Sequence, residues 1–310
     1  IIPMSKFEKE EYAAYTIRPK INKIIDSYFL PFEEVEIKNK ESVLNLDCPD
    51  TVVTGSDIPK LVAECDIDHT VQRSSVYPGG TAAGRLRLKK FVKEILPGYA
   101  STRNKPEKDG SSRLSSYLHF GFLSALEVAL AVRNSDAPQE SVDAYLEELI
   151  VRRELSFNFT RFNSRHDSIE ALPGWVQETM RDHVDDNREY GYSLEQLENS
   201  ETHDERWNAA QREMVRTGEM HNYVRMLWGK NVIAWTKNYE KAFAVLEHLN
   251  NKYCLDGRDP NSYAGILWCF GKHDRPWMER PVFGKIRYMT SNSTGKKFNS
   301  KKYIEWTKSL

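Results

Sequence analysis

Gly218-Glu219-Met220-His221-Asn222-Tyr223-Val224-Arg225-Met226-Leu227-Trp228 runs on through Gly229-Lys230-Asn231-Val232-Ile233-Ala234 to Trp235. From Asn222 to Thr236 the apolar positions recur at helical spacing, so the stretch predicts one helix. Trp228 and Trp235 are seven residues apart and share a face of it, separated by about 10.5 Å along the axis. Helical patterns flank this helix at His203 to Gly218 and Ala242 to Asn250. Trp207 therefore lies on the preceding helix, where it can pack between or beside the other two rings. Two readings of the three rings stand: a buried stripe of core aromatics, or a row of oxidisable rings leading from a buried cofactor to the surface.

The same period recurs upstream, at Lys6 to Tyr28, Ala82 to Leu96, Leu123 to Val132 and Val142 to Phe157. Pro19 predicts a kink or a helix start. Residues 31 to 62 are punctuated by Pro31, Pro49, Gly55 and Pro59 and read as irregular chain wrapping the main domain. After Cys254 the chain reads as loop-rich. No GxGxxG and no GxxxxGK[ST] occurs, which argues against a Rossmann domain or a phosphate-binding P-loop. The expected architecture is predominantly α, with 1–78 a connector and wrapping segment carrying an N-terminal helix, and 79–310 a helical domain whose loops carry function.

The 310 residues are 40% hydrophobic and 29% charged, with a formal net charge of -1. Bulk charge gives no nucleic-acid signature, but its distribution is uneven. Lys272, Arg275, Arg280, Lys285 and Arg287 gather in one stretch, followed by Lys296, Lys297, Lys301 and Lys302, whereas 182–205 is strongly acidic. This pattern suits either a local phosphate footprint or a solvated charged tail. Cys48, Cys65, Cys254 and Cys269 are scattered and read as free thiols of a reducing compartment. Cys254, Cys269 and His273 match no zinc or iron–sulfur spacing, so no metal is expected. No apolar run is long enough for a transmembrane helix, so no membrane association is expected. The start at Ile1-Ile2-Pro3-Met4 carries neither a signal peptide's apolar stretch nor a Met at position 1, so a fragment or a processed chain is expected.

Two places concentrate polar chemistry. The first, Tyr99-Ala100-Ser101-Thr102-Arg103-Asn104 to Ser111-Ser112-Arg113-Leu114-Ser115, is dense in hydrogen-bonding groups. Ser115 can cap a helix over 116–120, and Arg103 or Arg113 can add charge-assisted bonds to an anion. The physics permits a diphosphate cradle or a plain capping loop. The second is Arg225, one turn before Trp228. If buried it needs a carboxylate partner, for which Asp256 or Asp259 is available.

Taken together, these segments resemble the photolyase/cryptochrome family, in particular its class II branch. The match runs from about Tyr12 to Tyr303. Its most specific segments are Gly218 to Met226 and Leu255-Asp256-Gly257-Arg258-Asp259-Pro260-Asn261, supported by Ser112 to Gly121, Glu147 to Leu155, Trp207 to Gln211, His273 to Trp277 and Val282 to Tyr288. The resemblance implies the helical FAD-binding domain of the family, beginning near the connector, with the N-terminal α/β antenna domain largely or wholly absent. FAD, active as FADH⁻, is therefore the expected cofactor, and no antenna chromophore is expected within these residues.

By the same resemblance, Tyr99, Arg103 and Asn104 belong to the flavin pocket, and Ser111, Ser112 and Ser115 to the diphosphate loop. Arg225 and Asp256 resemble the ion pair beside the isoalloxazine. Asn250 resembles the asparagine near flavin N5, with Asn251 and Asn261 as rival amides. Trp228, Trp207 and Trp235 resemble the photoreducing electron path, in that order from the flavin outward. Glu148 resembles the acid that bonds the dimer bases, with Glu147 contesting the role, and Met226 and Trp268 resemble apolar walls of the lesion pocket. Asp274 and Arg275 resemble residues beside the lesion and its strands, and Lys285 and Arg287 are candidate phosphate contacts. Val151-Arg152-Arg153-Glu154-Leu155 departs from the WREF-like segment of many photolyases by lacking its Trp, so no second stacking tryptophan is assigned.

The implied function is light-driven repair of cyclobutane pyrimidine dimers in DNA, the lesion being flipped from the duplex. The competing readings are a cryptochrome-type photoreceptor and a non-enzymatic helical DNA-binding module. A monomer is expected, cytoplasmic or nucleoid-associated in a prokaryote, nuclear or organellar in a eukaryote.

Overall fold

The computed structural model describes residues 1–31, 36 and 53–310. Ile1–Leu30 and Ser74–Leu310 form one compact unit and Pro31–Arg73 a second, which contains the short helix α2 (Ile58–Ala63). The N-terminal helix thus belongs to the main body rather than to a connector reaching residue 78. The reason is packing, since Ile17 and Ile21 of α1 (Ala14–Ile24) are fully buried. Pro19 lies inside α1, not at its start. Cys48 falls outside the described residues, and Cys65, Cys254 and Cys269 are free thiols.

Among the described residues there is no strand, only an isolated bridge between Arg280 and Gly284. The main unit holds two apolar cores. The first is built by α1, α3 (Thr81–Lys90), α4 (Tyr99–Thr102), α5 (Ser115–His119), α6 (Ala125–Arg133), α7 (Gln139–Leu146) and the start of α8 (Arg153–Phe162). Phe91, Tyr99 and Tyr145 form its aromatic centre, with ring centroids 4.6 to 5.9 Å apart. The second core draws on α9 (Gly174–Asp182), α10 (Leu194–Glu198), α11 (Glu205–Thr217), α12 (Asn222–Trp235), α13 (Tyr239–Tyr253), α14 (Pro260–Cys269) and α16 (Ser300–Lys308), with α15 (Ser291–Gly295) beside it. Helix α8 passes through both, Leu155 serving the first and Phe159 the second.

Local chemistry explains the ends of these helices. Asp204 accepts from the amides of Arg206 and Trp207 at the start of α11, and Gly218 ends that helix in the left-handed conformation at φ 78°. A Cβ at Gly218 would also stand 2.6 Å from Leu255, so the turn into α12 admits no larger residue. His221 then caps α12. Helix α14, inside the stretch expected to be loop, has Asp259 as its cap and Pro260 in its first turn. The capping expected of Ser115 is absent, because that serine is already the first residue of α5. Between α7 and α8 the backbone widens into a π-type turn at Glu147–Arg152.

Candidate cofactor cavity and tryptophan row

A cavity of about 310 Å³ lies where residues of the two cores face each other. Tyr99, Arg103, Asn104, Ser111, Ser112 and Ser115 line it from the first core's side, together with Tyr145 and Glu148. Glu219, Met220 and His221 line it from the turn before α12, Arg225 from α12 itself, Asp256 from the turn after α13 and Asn261 from the start of α14. Arg225 and Gly265 continue into a small inner chamber bordered by Trp228, Asn250 and Cys269. The structure thus brings together every residue expected in the flavin pocket and the diphosphate loop.

The serine loop is held from behind. Arg87 of α3 donates to the Ser112 carbonyl at 2.7 Å and to the Ser111 carbonyl at 3.0 Å. Gly110 lets the loop close, because a Cβ there would meet the Thr102 carbonyl oxygen at 2.7 Å. Asp109 receives Arg113 at 2.7 Å and Arg87 at 3.4 Å. Burial pushes its carboxyl up, but Arg113 and then Arg87 outweigh this and hold it below the usual carboxylate range. Arg113, itself at φ 53°, reaches from the loop to Glu219 at 3.5 Å.

Arg103 spans two roles. It donates to the Ala144 carbonyl at 3.1 Å and to Glu148 Oε1 at 2.5 Å, with its guanidinium 5.5 Å from the Tyr99 ring. Glu147 turns away to Arg18 and Arg152, at 2.7 and 3.3 Å, so of the two adjacent acids only Glu148 borders the cavity.

Arg225 and Asp256 face each other at 3.9 Å, too long for a hydrogen bond, and Asp256 Oδ1 is buried without a partner. His221 Nε2, on the same wall, is also buried and unpartnered. An orphaned acceptor and an orphaned ring nitrogen cost free energy unless a ligand satisfies them. Glu219, which the sequence reading passed over, is pushed up to about 8, chiefly by burial and then by Asp256, with Arg225 opposing. These donors, acceptors and guanidiniums match in chemical type the phosphate, hydroxyl and ring-edge groups of a diphosphate-linked cofactor such as FAD, while the inner void of about 20 Å³ beside Trp228 and Asn250 is too small for a ring system.

The three tryptophans form one continuous row. Trp207 stacks on Trp228 with centroids 6.3 Å apart and planes 11° from parallel, and meets Trp235 edge-on at 5.6 Å. Trp207 Nε1 donates to the Trp228 carbonyl at 3.0 Å, and Trp228 Nε1 donates to Gln211 Oε1 at 2.9 Å. Trp228 borders the inner chamber and Trp235 a surface cleft of about 750 Å³.

Met226 and Trp268 do not line the cavity. Both are half-buried, and Trp268 has the buried Lys230 amine 5.9 Å and the Arg287 guanidinium 5.2 Å from its ring. Arg287 also lies over Trp277 at 4.3 Å and donates to both oxygens of Asp274, at 3.0 and 3.3 Å. Asp274 therefore orients Arg287 rather than facing solvent. Arg275 and Lys285 are exposed, with the Arg275 guanidinium 5.3 Å from the Trp277 ring. Lys272, part of the basic stretch, is buried against Glu10 and the Ala171 carbonyl and leaves the surface.

The fold and the cavity define a helical protein in which a polar, guanidinium-lined cavity lies between two apolar cores. No family model matches the chain. It is 42% identical over its whole length to a deoxyribodipyrimidine photo-lyase of Methanothermobacter thermautotrophicus, covering 67% of that protein. It is 43% identical to the enzyme of the same name from Arabidopsis thaliana, covering 63% of it, and 40% identical to that from Potorous tridactylus, covering 54%. The chain belongs to the photolyase/cryptochrome family, and spans between about half and two thirds of these relatives' lengths. The fold is similar to that of a class III photolyase from Agrobacterium tumefaciens, with a TM-score of 0.63 at 16% identity, over 96% of this chain and 67% of that one. It is also similar to an archaeal photolyase from Sulfolobus tokodaii that holds two FAD molecules, with a TM-score of 0.57 at 18% identity, again over 96% of this chain and 67% of that one.

Proposed function

We propose that this chain is the catalytic part of a class II photolyase that binds FAD and repairs cyclobutane pyrimidine dimers in DNA. One observation carries the reading: the cavity lined by the serine–arginine loop shares Arg225 and Gly265 with a small void beside Trp228, the first of a stacked row of indoles. Neither a capping loop nor a core stripe alone requires that adjacency.

Within this reading the residues divide the work. Ser111, Ser112 and Ser115, with Arg103 nearby, hold the diphosphate, while Arg225 and Asp256 flank the ring and Asn250 stands at its inner edge. FAD in its reduced form, FADH⁻, would supply the light-excited electron that opens the two cyclobutane bonds and then returns. Glu148, oriented by Arg103, faces the pyrimidine carbonyls, where a fixed hydrogen-bonding group stabilises developing charge. Met226 and Trp268 wall the lesion, and stacking on Trp268 contributes roughly 1–3 kcal/mol. Trp235, Trp207 and Trp228, in order from the surface inward, would relay electrons from an external reductant to the cofactor site before repair. Arg275, Lys285 and Arg287 contact the DNA backbone, which positions the duplex without reading its sequence.

The test is to illuminate the FAD-loaded, chemically reduced protein with DNA containing a cyclobutane dimer and follow the return of pyrimidine absorbance. Dimer loss that depends on light and on FAD is the expected result. Flavin photochemistry with intact dimers would identify a photoreceptor instead.

A further inference from the structure

We infer that His221 is a cofactor-binding residue, a neutral imidazole whose Nε2–H donates to an oxygen of the segment that links the FAD ring to its diphosphate. The inference rests on the FAD reading above and adds a contact that the family resemblance did not assign.

The tautomer follows from the fold. His221 is the cap of α12, and its Nδ1 accepts the backbone N–H of Tyr223 at 3.2 Å. A nitrogen that accepts carries no proton, so in the neutral ring the proton sits on Nε2. That atom is buried, lacks any partner, and belongs to a side chain only 5% exposed on the wall of the cavity.

The ring is held from several sides. Its backbone N–H donates to Glu213 Oε2 of α11 at 3.2 Å, and the same oxygen accepts Tyr303 Oη–H from α16 at 2.6 Å. Arg113 and Asp109 face it from the serine loop, Arg225 from its own helix, and Glu219 from the preceding turn. Burial, then Arg113 and Arg225, lower its titration to about 4, with Asp109 opposing. The ring is therefore uncharged at neutral pH. It serves the cofactor as a neutral donor and not as a further cation.

Position selects the acceptor. Arg113 extends from the loop that would cradle phosphate, and Arg225 with Asp256 marks the end of the cavity that would take the ring system. A group lying near both borders the stretch between those ends, where the ribityl hydroxyls and the first phosphate oxygens offer acceptors.

Two functions of one side chain are separable by substitution. Serine caps a helix well but has no donor at the Nε2 position, so His221→Ser keeps the cap and removes the contact. His221→Asn keeps a cap acceptor and restores an N–H on a shorter arm. The experiment measures FAD dissociation constants and FAD-free melting points for the full chain and both variants. It also records the ¹⁵N-resolved ring signals of His221 with and without FAD.

Expected are a melting point close to the parent's and a dissociation constant raised about three- to tenfold for His221→Ser, with partial recovery in His221→Asn. The Nε2–H signal should appear in the free protein and shift on FAD loading, and parental affinity should show no step in the ordinary histidine range, a step near 8 belonging to Glu219 on the same wall. Unchanged FAD affinity in a folded His221→Ser, or an Nε2 found unprotonated, overturns the assignment. So does a fall in affinity centred on the ordinary histidine range. Failure of the parent chain itself to bind FAD would instead sink the cofactor reading and this contact with it.

Discussion

At the scale of single residues, the cavity's chemistry is set by which charges can be compensated. Glu219 holds its proton to about 8 in the folded chain, first because it is buried and then because Asp256 is near. In the unfolded chain it titrates near 4.3, as an ordinary glutamate does (about 4.3). Between these values the folded state binds more protons, so stability of the FAD-free protein falls as pH rises from roughly 4.3 toward 8. Glu219→Gln should remove that slope, seen as urea midpoints that agree more closely at pH values of about 5 and 8 than those of the parent. An unaltered slope would mean that another group carries it. Trp228→Phe keeps an apolar wall but takes away the first ring of the row. It should abolish photoreduction of oxidised FAD while leaving repair by chemically reduced protein intact, and normal photoreduction would refute the route. Only the fold shows that the serines and arginines of 99–115 line a cavity; in the sequence they were legible as a polar cluster that suited a capping loop as well as a cradle. Glu219 and His221 were not, because one sequence does not say which edge of a capping ring, or which acid of a turn, meets empty space.

Between helices, close contact decides more than propensity. Gly229 sits on α12 where a Cβ would stand 2.5 Å from Cys269 Sγ and 3.2 Å from its Cβ, with Leu246 of α13 behind. Gly229→Ala must push α12 and α14 apart, at a cost of about 1–3 kcal/mol. Because Trp228 and Cys269 both border the inner chamber, the variant should also bind FAD more weakly. Thermal melting with and without FAD measures both effects, and a variant as stable as the parent would show that the contact relaxes freely. The neighbouring Lys230 amine donates to the Cys269 carbonyl at 2.5 Å, and burial lowers its titration to about 8. Element type along α11, α12 and α13 could be read from periodicity alone. The π-type turn at 147–152 could not, because an inserted residue leaves the apolar rhythm nearly intact while rotating Glu147 and Glu148 onto different neighbours. Helix α14 was hidden for another reason: Asp259-Pro260 is a helix start, but amid Gly257, Gly265 and Gly271 it reads as punctuation.

For the molecule as a whole, a net charge of -1 conceals a cationic rim on one flank, where Arg275 and Lys285 are exposed beside the Arg287–Trp277 pair. Binding to dimer-containing DNA should weaken with salt, and Arg275→Ala or Lys285→Ala should each lower the log–log salt slope by about 0.9. Arg287→Ala is different in kind, since it also frees Asp274 and uncovers Trp268 and Trp277. Slopes identical to the parent's in the Arg275 and Lys285 variants would move the DNA footprint elsewhere. The helical class of the chain was plain from its sequence, but its division was not. That the first thirty residues close onto the body depends on Ile17 and Ile21 finding the first core, a long-range pairing that local pattern does not encode.

The two cores share α8, are tied by the Glu10–Lys272, Arg113–Glu219 and His119–Asp259 pairs, and face each other across the cavity. Whatever fills that gap acts as a keystone, adding its own contacts to the few pairs that already span the two cores. Loss of the occupant would then loosen the span as well as silence the chemistry. Amide exchange in the empty protein would quicken first along α4, α5 and the turn at Glu219–His221, the stones nearest the missing piece.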